Sequence, residues 1–253
     1  MKRAFDELSQ AYAASELRRR SPEISAFVDW IRPQHGDQAL DVASGPATIA
    51  RVLTPRVKRV FAVDLSHAML SEAGRLEALP ANLFLTSGDV ERLPFQNATF
   101  DLLTCAYAFA NFREISVMLR ESARVVVRSG RVAFMDVIAP EDPSQRDNLN
   151  RIESMRSDFY TRIRTYSEFV GLFRDAGLTL EMSQLHPGRQ RMTDWLRLSP
   201  VATDPERSKE LLQALLDVGD KAGLRPRPVS NGEVEFCYQT VWFLLRRELS
   251  WAR

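Results

Sequence analysis

Histidine, cysteine and long apolar runs are all scarce in this chain, and each scarcity removes a class of function. The three histidines, His35, His67 and His186, are scattered, with no spacing that resembles a metal site. The two cysteines, Cys105 and Cys237, lie inside the apolar runs "FDLLTCAYAF" and "VEFCYQTVWFLL" and read as buried thiols, not as a disulfide or a metal pair. No metal is therefore expected. No stretch of about 18 apolar residues occurs, and "MKRAFDELSQAYAAS" has no signal-peptide core. That predicts no membrane partner and a cytoplasmic location. An excess of one charge is missing too. The 34 Lys and Arg against 33 Asp and Glu leave a net charge of +1, which gives no field for nucleic acid or an anionic membrane. No repeat, low-complexity tract or Gly/Ser linker divides the chain.

What is present is a core-forming composition, 45% hydrophobic and 26% charged over 253 residues, enough for one elaborated domain. Residues up to about 31 read as helical, with a helix start at Ser21-Pro22. From 38 to 139 short β-rich runs alternate with helical spacing. The runs are "QALDVA", "RVFAVDL", "NLFLTSGD", "FDLLTCAYA" and "GRVAFMDVIA". Helical spacing appears in "SHAMLSEAGRLEAL" and "EISVMLRESARVVV". Nearly continuous apolar strands in such alternation predict a parallel sheet covered on both faces. After Pro140 the rhythm changes. Helices are predicted over "SQRDNLNRIESMRSDFYTRI", "TYSEFVGLFRDAGL" and "DPERSKELLQALLDVGDKAG", with strands at "TLEMSQLHP" and "GEVEFCYQTVWFLLRREL" that could add an antiparallel edge. The expected organisation is a helical lid (1–33), a ligand-binding core (38–139), and substrate-side helices with edge strands (140–253).

Chemistry-bearing residues collect at the carboxyl ends of the predicted strands, where open α/β sheets bind ligands. The first strand closes on Asp41 and runs into "ASGPA", where small residues let a ligand approach the backbone and Gly45 can take positive φ. The second ends at Asp64, placed to accept both hydroxyls of a ribose, with Ser66 the better cap for the following helix. Asp89 follows the third strand and can accept from an exocyclic amine. "TCAYAFANF" after the fourth can wall a pocket. A dinucleotide would need its pyrophosphate on a G-x-G-x-x-G helix start, of which only Gly45 is present, and Asp41 would repel it. S-adenosylmethionine suits these groups better, because it brings an ammonium, a sulfonium, a ribose diol and an amine but no phosphate.

The runs "ALDVASGPATIARVL", "VFAVDLSHAMLSEA", "GDVERLPFQNATFDLLTCAYAFANF" and "RESARVVVRSGRVAFMDVIAPEDP" resemble the class I S-adenosylmethionine-dependent methyltransferases of the UbiE-like (type 11) group. The resemblance implies an α/β, doubly wound, seven-stranded and mostly parallel Rossmann-like sheet whose last strand is antiparallel. It places Asp41 and Gly45 near the methionine part, Asp64 near the ribose, and Asp89 with Val90 near adenine, and Ala43, Leu65, Met69 and Gly88 are counted with them as cofactor-binding residues. Cys105 is included on the same ground. "FDELSQAYAAS" resembles the group's N-terminal lid, with Tyr12 and Ser15 facing the ligand.

Two departures bear on chemistry. Gly45-Pro46-Ala47 replaces the usual G-x-G, so Ala47 is expected to add a methyl where backbone meets ligand, and Pro46 lacks an N–H. Ala110-Asn111-Phe112 stands where relatives often carry His-His-Phe, which removes an expected base. Methyl transfer from sulfonium is an in-line displacement that rests on alignment and water exclusion, so the missing histidine does not argue against it. The candidate catalytic groups are Tyr107, Asn111, His186 and Tyr160. The acceptor is expected to be a small molecule, bound between the lid and the helices of about 144–165 and 190–222. Met155, Phe159 and Ile163 share a helical face that would either pack on the sheet or wall the acceptor. Arg18–Arg20, Arg162 and Arg164 read as solvated faces. The reading leaves monomer and homodimer open. Its rivals are a cofactor-binding protein of the same fold that does not methylate (a sensor or a repurposed cyclase) and, distantly, a NAD-dependent dehydrogenase.

Overall fold

The computed structural model describes residues 2–15, 21–157 and 160–247. Arg18–Arg20 and Phe159 lie outside them. Five strands, β1 (Gln38–Val42), β2 (Arg59–Asp64), β3 (Leu83–Ser87), β4 (Phe100–Ala106) and β5 (Val126–Ile138), pair in parallel in the order β3-β2-β1-β4-β5. The apolar runs of β1, β4 and the second half of β5 are buried on both faces, which is why they lack period-two alternation, whereas the outer strand β3 leaves Phe84 exposed. The sheet continues with β8 (Val234–Arg247), antiparallel to both β5 and the edge strand β6 (Leu178–Arg191). The late antiparallel strand is thus present. A two-residue strand, β7 (Arg227–Pro228), pairs with β8 and makes the sheet eight-stranded where seven were expected.

Helices cover both faces. Under α5 (Ile115–Val125) and α7 (Tyr166–Asp175) lies one core of Leu103, Cys105, Phe134, Phe169 and Phe243. Beneath α2 (Ser21–Ile31) and α3 (Thr48–Leu53) lies another, with Phe27, Ala47, Leu102 and Trp242. A third core sits past the sheet's carboxyl end, among α6 (Pro143–Arg156), α8 (Met192–Arg197) and α9 (Pro205–Val218). The N-terminal α1 (Lys2–Ser15) packs on α4 (His67–Leu76), where Ser66 Oγ donates to Asp6 Oδ1 at 2.5 Å.

Two expectations are corrected. The helix predicted across 144–163 ends at Arg156, and Ser157 is extended. The returning chain is tied to α6 instead: Asn150 Oδ1 accepts from the Ile163 amide (2.7 Å) and the Tyr160 hydroxyl (2.9 Å). Arg162 is exposed and pairs with Glu168, whereas Arg164 is buried and not on a solvated face. The Arg164 carbonyl accepts from the Ala139 amide at 2.9 Å, which pins the residue beside the end of β5, and burial lowers its guanidinium pKa. No helix among the described residues is long and apolar enough to cross a membrane, and no group of three or more His, Cys, Asp or Glu among them could hold a metal ion.

Candidate active site

The loop after β1 is built on three left-handed residues: Ala43 (φ 51°), Gly45 (φ 53°) and Ala47 (φ 60°). Only one is glycine, so the other two each cost about 1 kcal/mol. The winding turns the loop's amides inward. Ser44 N–H donates to Val63 O at 3.0 Å, Gly45 N–H to Asp64 Oδ2 at 2.8 Å, and Ala47 N–H to Ser44 O at 2.9 Å. Pro46 has none to give. The loop therefore offers a ligand carboxylates and hydroxyls, not amide donors. The methyl of Ala47 does not meet the ligand space as expected. It is fully buried beside Ile49 and Phe27, because the left-handed turn points it into the core.

Asp41 is buried and accepts from Thr104 Oγ1 (2.7 Å) and from the Ala50 amide in the first turn of α3 (3.2 Å). Asp64 spans two segments, accepting from Gly45 on one oxygen and from the Ser66 amide (2.8 Å) on the other. Ser66 caps α4, with its hydroxyl accepting from the Met69 amide at 3.1 Å. Burial raises the Asp64 pKa against the pull of those two amides, and nearby Asp6 raises it further. Asp89 is exposed and accepts from the Glu91 amide at 2.9 Å. The strand ends carry a negative field that the Cys105 thiol registers. Its pKa is raised by burial first, then by Asp136, Asp41 and Asp64.

These residues surround a cavity of about 450 Å³. Asp41, Ala43, Gly45, Asp64, Leu65, Met69, Asp89, Val90 and Tyr12 all line it. Ser15, Gly88 and Cys105 do not. Gly88 lies where an added Cβ would meet Val63 Cγ1 at 3.1 Å, and Cys105 is fully buried in the core that also holds Leu103. Ser44 Oγ and Thr48 Oγ1 in the same lining are buried without hydrogen-bond partners.

A second chamber, about 240 Å³, shares Tyr12, Tyr107 and Asn111 with the first. Its far wall comes from α6, from Ser157, Tyr160 and Ile163, and from the end of β6 and α8, through residues such as Glu153 and Trp195. Met155 packs in the third core instead. Tyr160 is held by Asn150, and its pKa is raised, chiefly by burial. His186 lines neither cavity; its ring stacks on Trp242 at 3.9 Å between centroids.

Sequence reasoning missed several polar residues here. Asp136 ends "AFMD" on β5, the same signal as Asp41 and Asp64. Its carboxylate accepts from the Ala108 and Phe109 amides at 3.0 and 2.9 Å and fixes the turn carrying Asn111. Buried Glu153, bonded by Arg156 Nε (3.0 Å) and the Tyr238 hydroxyl, gave no signal, because it reads as a helix-surface acid. Glu23 was missed for the same reason.

A family described as a methyltransferase domain matches residues 40–134. A Bacillus subtilis (strain 168) protein named as a methyltransferase, YcgJ, is 24% identical over 220 residues, 86% of each chain. The demethylmenaquinone methyltransferase of Thermotoga maritima is 29% identical across 67% of this chain and 71% of its own. The crystal structure of YcgJ superposes with a TM-score of 0.81 at 24% identity, covering 89% of this chain and 98% of that one.

Proposed function

We propose that this chain, which carries a methyltransferase domain over residues 40–134, is an S-adenosylmethionine-dependent methyltransferase of small molecules of the UbiE-like class I group, and on that reading we assign the residues that serve donor and acceptor. The larger cavity takes S-adenosylmethionine. Asp64 accepts the ribose hydroxyls, with Leu65 and Met69 beside it. Asp41 and the Ala43–Gly45 backbone face the methionine part, Asp89 and Val90 the adenine, and Tyr12 covers the site from α1. One observation carries this reading: the amides of Ser44, Gly45 and Ala47 are already engaged and Pro46 has none, so positions 44–47 offer no amide to a phosphate. What remains is a negative, hydroxyl-bearing pocket suited to a cation with a diol. The unpartnered hydroxyls of Ser44 and Thr48 fit a ligand rich in polar atoms.

When bound, the cofactor supplies a methyl group activated on a sulfonium. The chain's own part is geometric. Tyr107 and Asn111 stand where the cavities meet, so an acceptor in the smaller chamber reaches the larger one only past them. Tyr12 and the aromatic far wall exclude water from that passage. Calorimetric titration tests the donor assignment. One saturable site is expected for S-adenosylmethionine and for S-adenosylhomocysteine, with no heat from NAD. A folded sample that binds neither sulfur compound contradicts it.

A further inference from the structure

Two glutamate–tyrosine pairs face the smaller chamber, and they sit at opposite ends of it. Glu153 with Tyr238 is on the far wall, bonded also by Arg156, and neither residue touches the larger cavity. Glu23 with Tyr107 is at the joint. The Tyr107 hydroxyl donates to Glu23 Oε1 at 2.7 Å. Tyr107 lines both cavities, and Glu23 only the smaller. The placement is enforced. Tyr107 follows β4 directly and is held left-handed at φ 54°, with its amide donating to Met135 O at 2.8 Å. A non-glycine residue in that conformation persists only where its surroundings over-determine it. Glu23 comes from the first turn of α2, so the pair ties a covering helix to the sheet's carboxyl end.

On the premise that the larger cavity holds the methyl donor, we propose that Tyr107 is a catalytic residue for an acceptor bearing an ionisable hydroxyl, a small phenol, and that Glu23 acts through it. The direction of the hydrogen bond selects the acceptor. With its proton committed to Glu23, the Tyr107 oxygen is an acceptor toward the chamber, and a substrate hydroxyl donates to it. The carboxylates of the chamber are already engaged, Glu23 by the Tyr107 hydroxyl. Arg156 and Arg189 line the chamber, while Asp136 and Glu153 are engaged by amides, by Arg156 and by Tyr238. The rings of Tyr160, Trp195 and Tyr238 give the flat apolar walls that an aromatic ring fills. A chamber near 240 Å³ fits such a ring and not a long prenyl chain as well.

The step balances without another reagent. The phenol oxygen forms a bond to the methyl carbon as the carbon–sulfur bond breaks, and that electron pair stays on sulfur. The phenol proton passes to the Tyr107 oxygen, the Tyr107 proton to Glu23, and thence to solvent. The products are a methyl ether, a neutral thioether and one proton.

Two readouts test this on the full chain. The first is binding without turnover: dissociation constants of 4-methylphenol and 4-methylanisole, measured with S-adenosylhomocysteine present. The wild type should prefer the phenol by about tenfold, and Tyr107→Phe should lose that preference. The second is methylation of 4-methylphenol across pH. Glu23→Gln, a milder change should Tyr107→Phe fail to fold, should lower kcat by about 100-fold near neutrality. KM should move less than threefold, and the rate should recover as rising pH ionises the phenol itself. A merely structural role would give a pH-independent loss. If S-adenosylhomocysteine does not bind, both the donor assignment and this proposal fall. If it binds, three results overturn the proposal alone: equal affinity for phenol and ether, a preference kept in Tyr107→Phe, or no methylation of the phenol.

Discussion

Ala47 shows how a single side chain can mislead. In sequence its methyl stands where a relative's glycine would approach the ligand; in the fold the same left-handed turn that glycine favours sends the methyl into the core. Replacing Ala47 with Gly relieves about 1 kcal/mol of backbone strain but loses about 0.8 kcal/mol of buried methyl. Urea unfolding of Ala47→Gly should therefore match the wild type within about 1 kcal/mol, with cofactor affinity unchanged within about twofold. Asp64 is the opposite case. Asp64→Ala should weaken S-adenosylhomocysteine binding by about 10–100-fold, since hydrogen bonds to charged groups are worth about 1.5–3 kcal/mol, with circular dichroism unaltered. Its titration adds a pH signature. Its raised pKa means the folded carboxyl holds its proton at pH values where a free aspartate, at 3.8, is ionised. Without ligand, that shift favours the folded state at acid pH and is lost as pH rises through the folded value. A diol needs the ionised form, so affinity should be constant only above the raised folded value. It should fall about tenfold per unit once pH drops through that raised value. Asp41, Asp64 and Asp89 line the larger cavity because each lies at or just past the carboxyl end of a strand, a position readable in the sequence, whereas Cys105, inside β4, is buried in the core with Leu103 and does not line it.

Among the elements, those with strong periodicity and a clear stop were readable. α5, α7 and α9 fall inside their predicted segments, and Gly177, at φ 73°, follows α7. The helix over 144–163 was overextended because Met155 and Ile163 keep helical spacing even though α6 ends at Arg156. Asn150, an ordinary polar residue in sequence, ties Tyr160 and Ile163 back to α6. It also donates to the Arg146 and Ile163 carbonyls at 3.0 and 3.1 Å. Asn150→Ala should cost about 1–3 kcal/mol in urea unfolding, because it strips partners from half-buried polar groups. It should also raise KM for the acceptor more than it changes cofactor affinity, since the wall it braces belongs to the smaller chamber.

At the scale of the molecule, strand alternation foretold the parallel sheet and the ligand edge, but not how the chambers join. That junction depends on tertiary partners distant in sequence, such as Glu23 and Tyr107, 84 residues apart. His186 illustrates the limit from the other side. Sequence offered His186 as a candidate base; in the fold β6 carries it along the sheet's edge against Trp242. His186→Ala should leave kcat/KM within twofold in a methyl-transfer assay, because the ring lines neither cavity. Every role proposed above depends on donor and acceptor spaces meeting at Tyr107 and Asn111. A crystal structure of the S-adenosylhomocysteine complex tests that junction. The ribose hydroxyls should lie on Asp64, the adenine beside Asp89 and Val90, and the sulfur should open toward Tyr107 and the smaller chamber. A sulfur pointing away from that junction, or a cofactor lying in the smaller chamber, would contradict it.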